Sequence, residues 1–216
     1  MRIDILIPVF NTKADHLLQS VYSIYRNINK RKHRIILLDD GSSEEETLAA
    51  LDFLESFCKV VHFDCNEGTS VVLNKGHELV ECEYVAIAGS DDIYHPERFP
   101  MQISYLKKNP EVDVLGTEIY WFFEDNLWVK NGSHIIASGY TNHGEKPDLS
   151  KNWFVNHGTV IYKQDAVMSV GGYNEKLRRR QDVELWGRMK NEGFEFRNIP
   201  EVLAAWRRYR DRNLEQ

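Results

Sequence analysis

Asp91 and Asp92 close an apolar run, "YVAIAG", and stand just before the turn-forming "YHPER". Adjacent carboxylates repel, and in a dry site one of them is driven to take up a proton. A divalent cation removes that conflict, and so does exposure on a loop. Both readings stay open on these residues alone. The same grouping recurs upstream. Asn11 follows "IDILIPVF", Asp39 and Asp40 follow "RIILL", and Asn66 follows "KVVHF". Four apolar runs thus end in polar side chains able to bind a ligand, although polar residues follow most strands in any protein.

The elements that must position these groups are legible. Ile3–Phe10 is a continuous apolar run of strand length, the pattern of a strand buried on both faces. Residues 12–29 place Leu17, Leu18, Val21, Ile24, Tyr25 and Ile28 at helical spacing. Arg34–Asp40 is a second strand. Ser42 or Ser43 is the expected cap of the next helix, with Glu46 completing a capping box on Ser43. "KVVHF" makes a third strand, residues 69–80 a third helix, and "EYVAIA" a fourth strand. This alternation predicts a parallel sheet with helices on both faces. In such sheets ligands collect at the carboxyl ends of the strands.

Beyond residue 96 the pattern changes. "PERFPMQISYLKKNP" reads as a helix and "VDVLGTEIYWFF" as a strand, and residues 124–150 read as a loop or small hairpin. "NHGTVIYK" reads as a strand, "DAVMSVGGY" as a short helix stopped at Gly171–Gly172, and "RRQDVELWGRMKNEG" as a helix. "FEFRNIPEVLAAWRRYR" is strand-like with a basic end.

Bulk properties exclude several classes. With 216 residues, 42% apolar and 28% charged, the chain suits one soluble globular domain. A net charge of −6 disfavours nucleic-acid binding. Local clusters at Arg178–Arg180 and in "WRRYRDR" remain able to bind a small anion. Three cysteines without metal-ligand spacing suggest reduced thiols in the cytoplasm. No secretory leader and no transmembrane segment is expected. A dehydrogenase is disfavoured because no G-x-G-x-x-G follows the first strand. A nucleotidyltransferase would want a Gly-rich basic loop there, which "PVFNTKAD" is not.

Taken in order, "ILIPVFN", "IILLDDGS", "NEGTSVVLNKG", "YVAIAGSDDIYHPERFPMQISYLKKNPEVDVLG", "NHGTVIYK", "VGGYNE", "RRQDVELWGRM" and "IPEVLAAWRRYR" resemble the family 2 inverting glycosyltransferases of GT-A fold. The branch they most resemble assembles surface polysaccharide or lipopolysaccharide, and the likeness runs from Ile3 to about Tyr209. The resemblance implies one α/β domain over 1–216, mostly parallel in its central sheet. Residues 1–98 would be the nucleotide-sugar-binding half and 99–216 the acceptor-binding, catalytic half.

It also implies roles. Pro8, Val9 and Asn11 would line the base and ribose pocket, and Asp40 would hydrogen-bond the base. Asn66, Gly68 and Asn74 would shape the pocket wall. Asp91 would hold Mn²⁺ or Mg²⁺ on the donor diphosphate. The family's first motif carboxylate falls on Gly89 and its ribose-contacting position on Ser90, two departures from the common pattern. Asp92 would support the metal site from behind. His157 would approach the metal or diphosphate, Trp153 could stack on a sugar, and Arg207 could meet the diphosphate. Asp182 would be the general base, though its position also suits a helix N-terminal carboxylate. The implied activity is transfer of a sugar from a nucleoside-diphosphate donor, UDP by default, to a saccharide, glycolipid or protein hydroxyl. The alternative is a nucleotide-sugar-binding protein without turnover. The implied setting is a cytoplasmic enzyme adding one sugar at a time and visiting the cytoplasmic membrane face.

Overall fold

The structure is a computed structural model that describes residues 1–123, 127–128, 134–135 and 139–209. Four strands lie in parallel in the order β3-β2-β1-β4, with β1 Ile3–Val9, β2 Arg34–Asp39, β3 Lys59–His62 and β4 Tyr84–Ile87. Beyond β4 the sheet turns mixed. β10 (Ile161–Lys163) runs antiparallel to both β4 and β6 (Val114–Phe123). β11 (Phe196–Arg208) is parallel to β6, and the short β5 (Ile93–Tyr94) is antiparallel to β11. β9 (Gly139–Tyr140) pairs with β6, while β7 (Leu127–Trp128) and β8 (His134–Ile135) form a separate antiparallel pair. The sequence-based parallel sheet is therefore present in the first half. The remainder of 124–150 read as loop or hairpin lies partly outside the described residues.

β1 shows why the sheet is central. Ile3, Ile5, Ile7 and Val9 pack into one core with helices α1 (Ala14–Tyr25), α2 (Glu45–Leu54) and α4 (Arg98–Lys108). Leu6 packs into the other core with α3 (Thr69–His77), α5 (Gln164–Ser169) and α6 (Gln181–Asn191). Each such side chain contributes about 1.5–3 kcal/mol by leaving water. Asp4, fully buried in the same strand, is satisfied by Arg34 Nε and Nη2 and by the Glu81 backbone N–H. Its carboxyl is held below the usual range by those donors, against burial, the largest single influence.

Two local expectations are corrected. α2 starts at Glu45 with Glu44 at its cap position, and neither Ser42 nor Ser43 caps it. "NHGT" is not strand: His157–Thr159 is a short 3-10 turn leading into β10. Thr159 explains the turn, because its Oγ1 is committed to Asn156 O and the Thr117 N–H.

Candidate active site

The loops after β1, β2 and β3 knit together at one edge of the sheet. Asn11 adopts φ 46°, a left-handed conformation that Asn tolerates. Its Oδ1 accepts from the Ser43 N–H (2.8 Å) and the Glu44 N–H (3.1 Å), while its own N–H donates to Ser42 Oγ. Asn11 thus satisfies N–H groups at the start of α2 that the helix leaves without partners. Asp40 is buried, and its carboxylate accepts from Asn66 Nδ2 (3.0 Å) and from the N–H groups of Glu67 (2.7 Å) and Gly68 (2.9 Å). Burial pushes its carboxyl up, opposed by those donors. Gly68 sits at φ 97°, and a Cβ there would lie 2.6 Å from Arg178 Nη1. That guanidinium crosses the loop to reach Asn66 Oδ1.

Pro8, Val9, Asn11, Asp40, Asn66 and Gly68 therefore gather at the carboxyl ends of β1 to β3. Asn74 does not face them. Its amide is spent on Tyr173 N and O and on Glu175 Oε1, so it clamps the turn after α5. Ser90 Oγ shares a hydrogen bond with Thr12 Oγ1 at 2.8 Å. Lys75 pairs with Glu67.

The end of β4 is braced from several sides. Ser20 of α1 donates to Gly89 O, the Gly89 N–H donates to Tyr94 Oη, and the buried Arg98 donates to Ile87 O. A Cβ on Gly89 would stand 2.5 Å from Asp92 Oδ2, so the Asp92 carboxylate occupies the space beside the missing side chain. Asp92 Oδ1 accepts the Arg207 N–H at 3.0 Å. Burial, and then the charge of Asp91, push the Asp92 carboxyl well above the usual carboxylate range. Asp91 Oδ2 accepts from Tyr209 Oη, and its carbonyl accepts from Arg207 Nε. Arg207 is buried, with Nη2 on Gln19 Oε1, its guanidinium carbon 5.0 Å from the Phe122 ring centre and Nη1 without a hydrogen-bond partner among the described residues.

Among the described residues no three His, Cys, Asp or Glu side chains converge as a ready metal cage. The donor set still suits a hard divalent cation in part. Asp91 and Asp92 are oxygen donors whose mutual repulsion a cation would relieve, with other ligands left to a bound molecule. His157 fits less well, because its Nε2 is already engaged with Tyr173 Oη at 2.8 Å.

Asp182 lies in the first turn of α6, which opens after Arg180 in a left-handed conformation. It lines a cavity of about 180 Å³ together with Asp92, His157, Asn156, Trp153 and Trp206. Burial lowers the His157 imidazole below its ordinary value, and the charge of Asp182 pulls it back. Trp153 and Trp206 are 43% and 41% exposed, so both rings are open rather than core filling. Glu184 is paired with Arg188, and Trp186 is buried. The cavity thus unites the carboxyl end of β4 with α6, 90 residues apart. Sequence reasoning gave Asp92 a supporting place, yet it is Asp92 that lines this cavity. Asn156 and Trp206 were missed, since nothing local in "WFVNHG" or "AAWRRY" marks them; Gly89 beside two carboxylates was the available hint for Asp92.

The chain is similar in sequence and fold to known proteins. The model of the glycosyl transferase family 2 matches residues 4–171. The amylovoran biosynthesis glycosyltransferase AmsE of Erwinia amylovora is 30% identical over 208 residues, covering 94% of this chain and 75% of that protein. Among solved structures, S. aureus TarS 1-349 in complex with UDP-GlcNAc superposes with TM-score 0.74 at 16% identity, over 96% of this chain and 59% of that one. The mannosyltransferase PcManGT from Pyrobaculum calidifontis, in complex with GDP-Man and Mn²⁺, gives TM-score 0.70 at 15% identity, over 94% and 56%. The chain spans about three fifths of these solved chains, which share its GT-A fold. Fold and family agree, and the chain belongs to the family 2 glycosyltransferases.

Proposed function

We propose that this glycosyltransferase moves a sugar from a nucleoside-diphosphate donor to an acceptor hydroxyl with inversion, within a single domain divided near residue 98. The observation that carries the reading is the shared cavity of Asp182, Asp92 and His157 under two open tryptophans. The base and ribose bind at the ends of β1 to β3, against Pro8, Val9, Asn11 and the loop that Asp40, Asn66 and Gly68 hold, with Ser90 beside them. The diphosphate lies towards Asp91 and the buried Arg207 that braces it.

Asp182 accepts the proton of the acceptor hydroxyl as that oxygen bonds to the anomeric carbon. The bond from that carbon to the diphosphate breaks on the opposite face, and the nucleoside diphosphate leaves with the electron pair. Asp91 and Asp92 would hold Mn²⁺ or Mg²⁺, which supplies Lewis-acid stabilisation of the leaving charge when bound. UDP is the default donor nucleotide, supported by the UDP-GlcNAc complex of TarS, and a Mn²⁺ requirement is supported by the PcManGT complex. The acceptor is a saccharide or glycolipid, in line with the polysaccharide assembly named for AmsE. No helix among the described residues is long and apolar enough to cross a membrane. We place the enzyme in the cytoplasm, working at the membrane face.

The test is donor consumption followed by proton NMR, with saccharide acceptors and with water. Formation of a glycoside of opposite anomeric configuration, abolished by Asp182→Asn, supports the reading. Donor binding without any consumption would replace it with a non-catalytic binding protein.

A further inference from the structure

We propose that the outer faces of α1 and α2 form a docking surface for an anionic lipid bilayer. Tyr22, Tyr25, Phe53 and Phe57 line an apolar groove of about 470 Å³ between the two helices. Tyr22, Phe53 and Phe57 are 62%, 60% and 46% exposed, although α1 and α2 bury their inner faces properly. The rings form one patch: Tyr25 meets Phe57 edge-on at 5.5 Å, and Phe57 lies 5.4 Å from Phe53.

The charge around this patch selects the occupant. Residues 26–34 carry Arg26, Lys30, Arg31, Lys32 and Arg34 and no carboxylate, in a chain whose net charge is −6. Arg34 is committed to Asp4 and Glu81, while Arg26, Lys30, Arg31 and Lys32 are exposed. Lys30 Nζ stands 4.1 Å from the Tyr25 ring centre and the Arg26 guanidinium 5.6 Å from that of Tyr22, so cations rim the aromatic patch directly. The carboxylates of α2 turn away. Phe57 lies in the turn after α2, where Glu55 faces His62, its Oε1 3.7 Å from His62 Nε2, and within the helix Asp52 projects roughly 100° from Phe53. Glu44, Glu45 and Glu46 stand at the far end of the helix. Aromatic rings among lysines and arginines suit the interface of an anionic bilayer, where rings enter the headgroup layer and cations meet phosphates. A protein partner would be expected to match the groove with carboxylates of its own.

The surface also joins the site without being part of it. Gln19 lines the groove and accepts from Arg207, and Ser20 on the same helix holds Gly89. Docking through α1 would hold the end of β4 close to the lipid headgroups. The inference stands on this surface alone and not on the reaction proposed above.

The test is co-sedimentation of the 216-residue chain with phosphatidylcholine vesicles, with and without phosphatidylglycerol. Binding is expected only to the anionic vesicles and is expected to fall with salt. Phe53→Ser with Phe57→Ser should release the protein, with far-UV circular dichroism unchanged. Lys30→Gln and Lys32→Gln should each weaken partitioning about fivefold. Equal binding to both vesicles, or binding to neither, overturns the proposal. So does a concentration-dependent dimer in light scattering that the phenylalanine variants abolish, since that would make the patch an interface between two copies.

Discussion

Gly89→Ala is the most informative small change, because the structure says what the added methyl meets. A Cβ at position 89 stands 2.5 Å from Asp92 Oδ2 and 3.1 Å from its Cγ. Backbone cannot yield easily there, since the Gly89 N–H and O are both hydrogen-bonded, to Tyr94 and to Ser20. The Asp92 carboxylate must therefore swing, which stretches its bond to the Arg207 N–H, 3.0 Å in the native arrangement. With the Asp92 carboxyl held well above the usual carboxylate range, that hydrogen bond is worth about 0.5–1.5 kcal/mol. Overpacking costs about twice as much when the neighbour cannot move. Partial relief of each by the other leaves about 2 kcal/mol, or roughly 4–8 °C in melting temperature for a chain of this size. Turnover should fall further than stability, because Asp92 lines the cavity that holds Asp182. The assay is a thermal melt beside donor consumption, on Gly89→Ala and on Gly158→Ala. Gly158 lines the same cavity, but a Cβ there would meet only ordinary contacts of 3.5 Å or more. A Gly89→Ala protein that melts and turns over like wild type would refute the claim that Asp92 fills the place beside Gly89.

Other expectations follow from single contacts. Asp182→Asn should lower turnover by about 10²–10⁴-fold while leaving nucleotide affinity intact, read by NMR turnover and calorimetry; a parallel loss of affinity would make Asp182 structural. Asn11→Ala removes the acceptor for the Ser43 and Glu44 N–H groups and should cost about 1 kcal/mol, seen in urea unfolding; no loss would mean that water replaces it at no cost. His77 is buried against Tyr162, and burial lowers its imidazole from 6.5 to about 4. Between those values the unfolded chain binds the extra proton, so stability is intact above about pH 6.5 and drains away as pH falls towards 4. The loss reaches about 2 kcal/mol at about pH 5. His77→Gln should flatten that slope in denaturant titrations; an unchanged slope would assign the acid sensitivity elsewhere.

How much of this was legible in the sequence depends on the range of the contacts involved. β1, β2 and β4 could be read because each is a continuous apolar run buried on both faces, while β3, at the sheet edge and only half-buried, was marked by Val60 and Val61 alone. The positions of Asn11, Asp40, Asn66 and the Asp91–Asp92 pair after the strands were legible because strand ends are visible as the places where those runs stop. The second half resisted, since β10 enters the sheet antiparallel between β4 and β6, a pairing that three residues cannot announce. The helix cap was misread for the same reason: Ser43 and Glu46 make a proper local pattern, yet Asn11, 32 residues away, reaches the Ser43 N–H first. Asn74 looked like pocket wall beside "NEG", and only the fold brings Tyr173 to it across 99 residues. Asp92 and Arg207 meet across 115 residues, a pairing that no spacing rule encodes.

The proposed nucleotide-diphosphate site lies at the end of β4. Its most direct test is the thermal shift of the protein with UDP, GDP and dTDP, each with and without Mn²⁺, on wild type and on Asp91→Ala. Stabilisation by one nucleotide, dependent on Mn²⁺ and lost in Asp91→Ala, is the result the account predicts, and it would name the donor base. No stabilisation by any of the three, or an unchanged shift in Asp91→Ala, would contradict it.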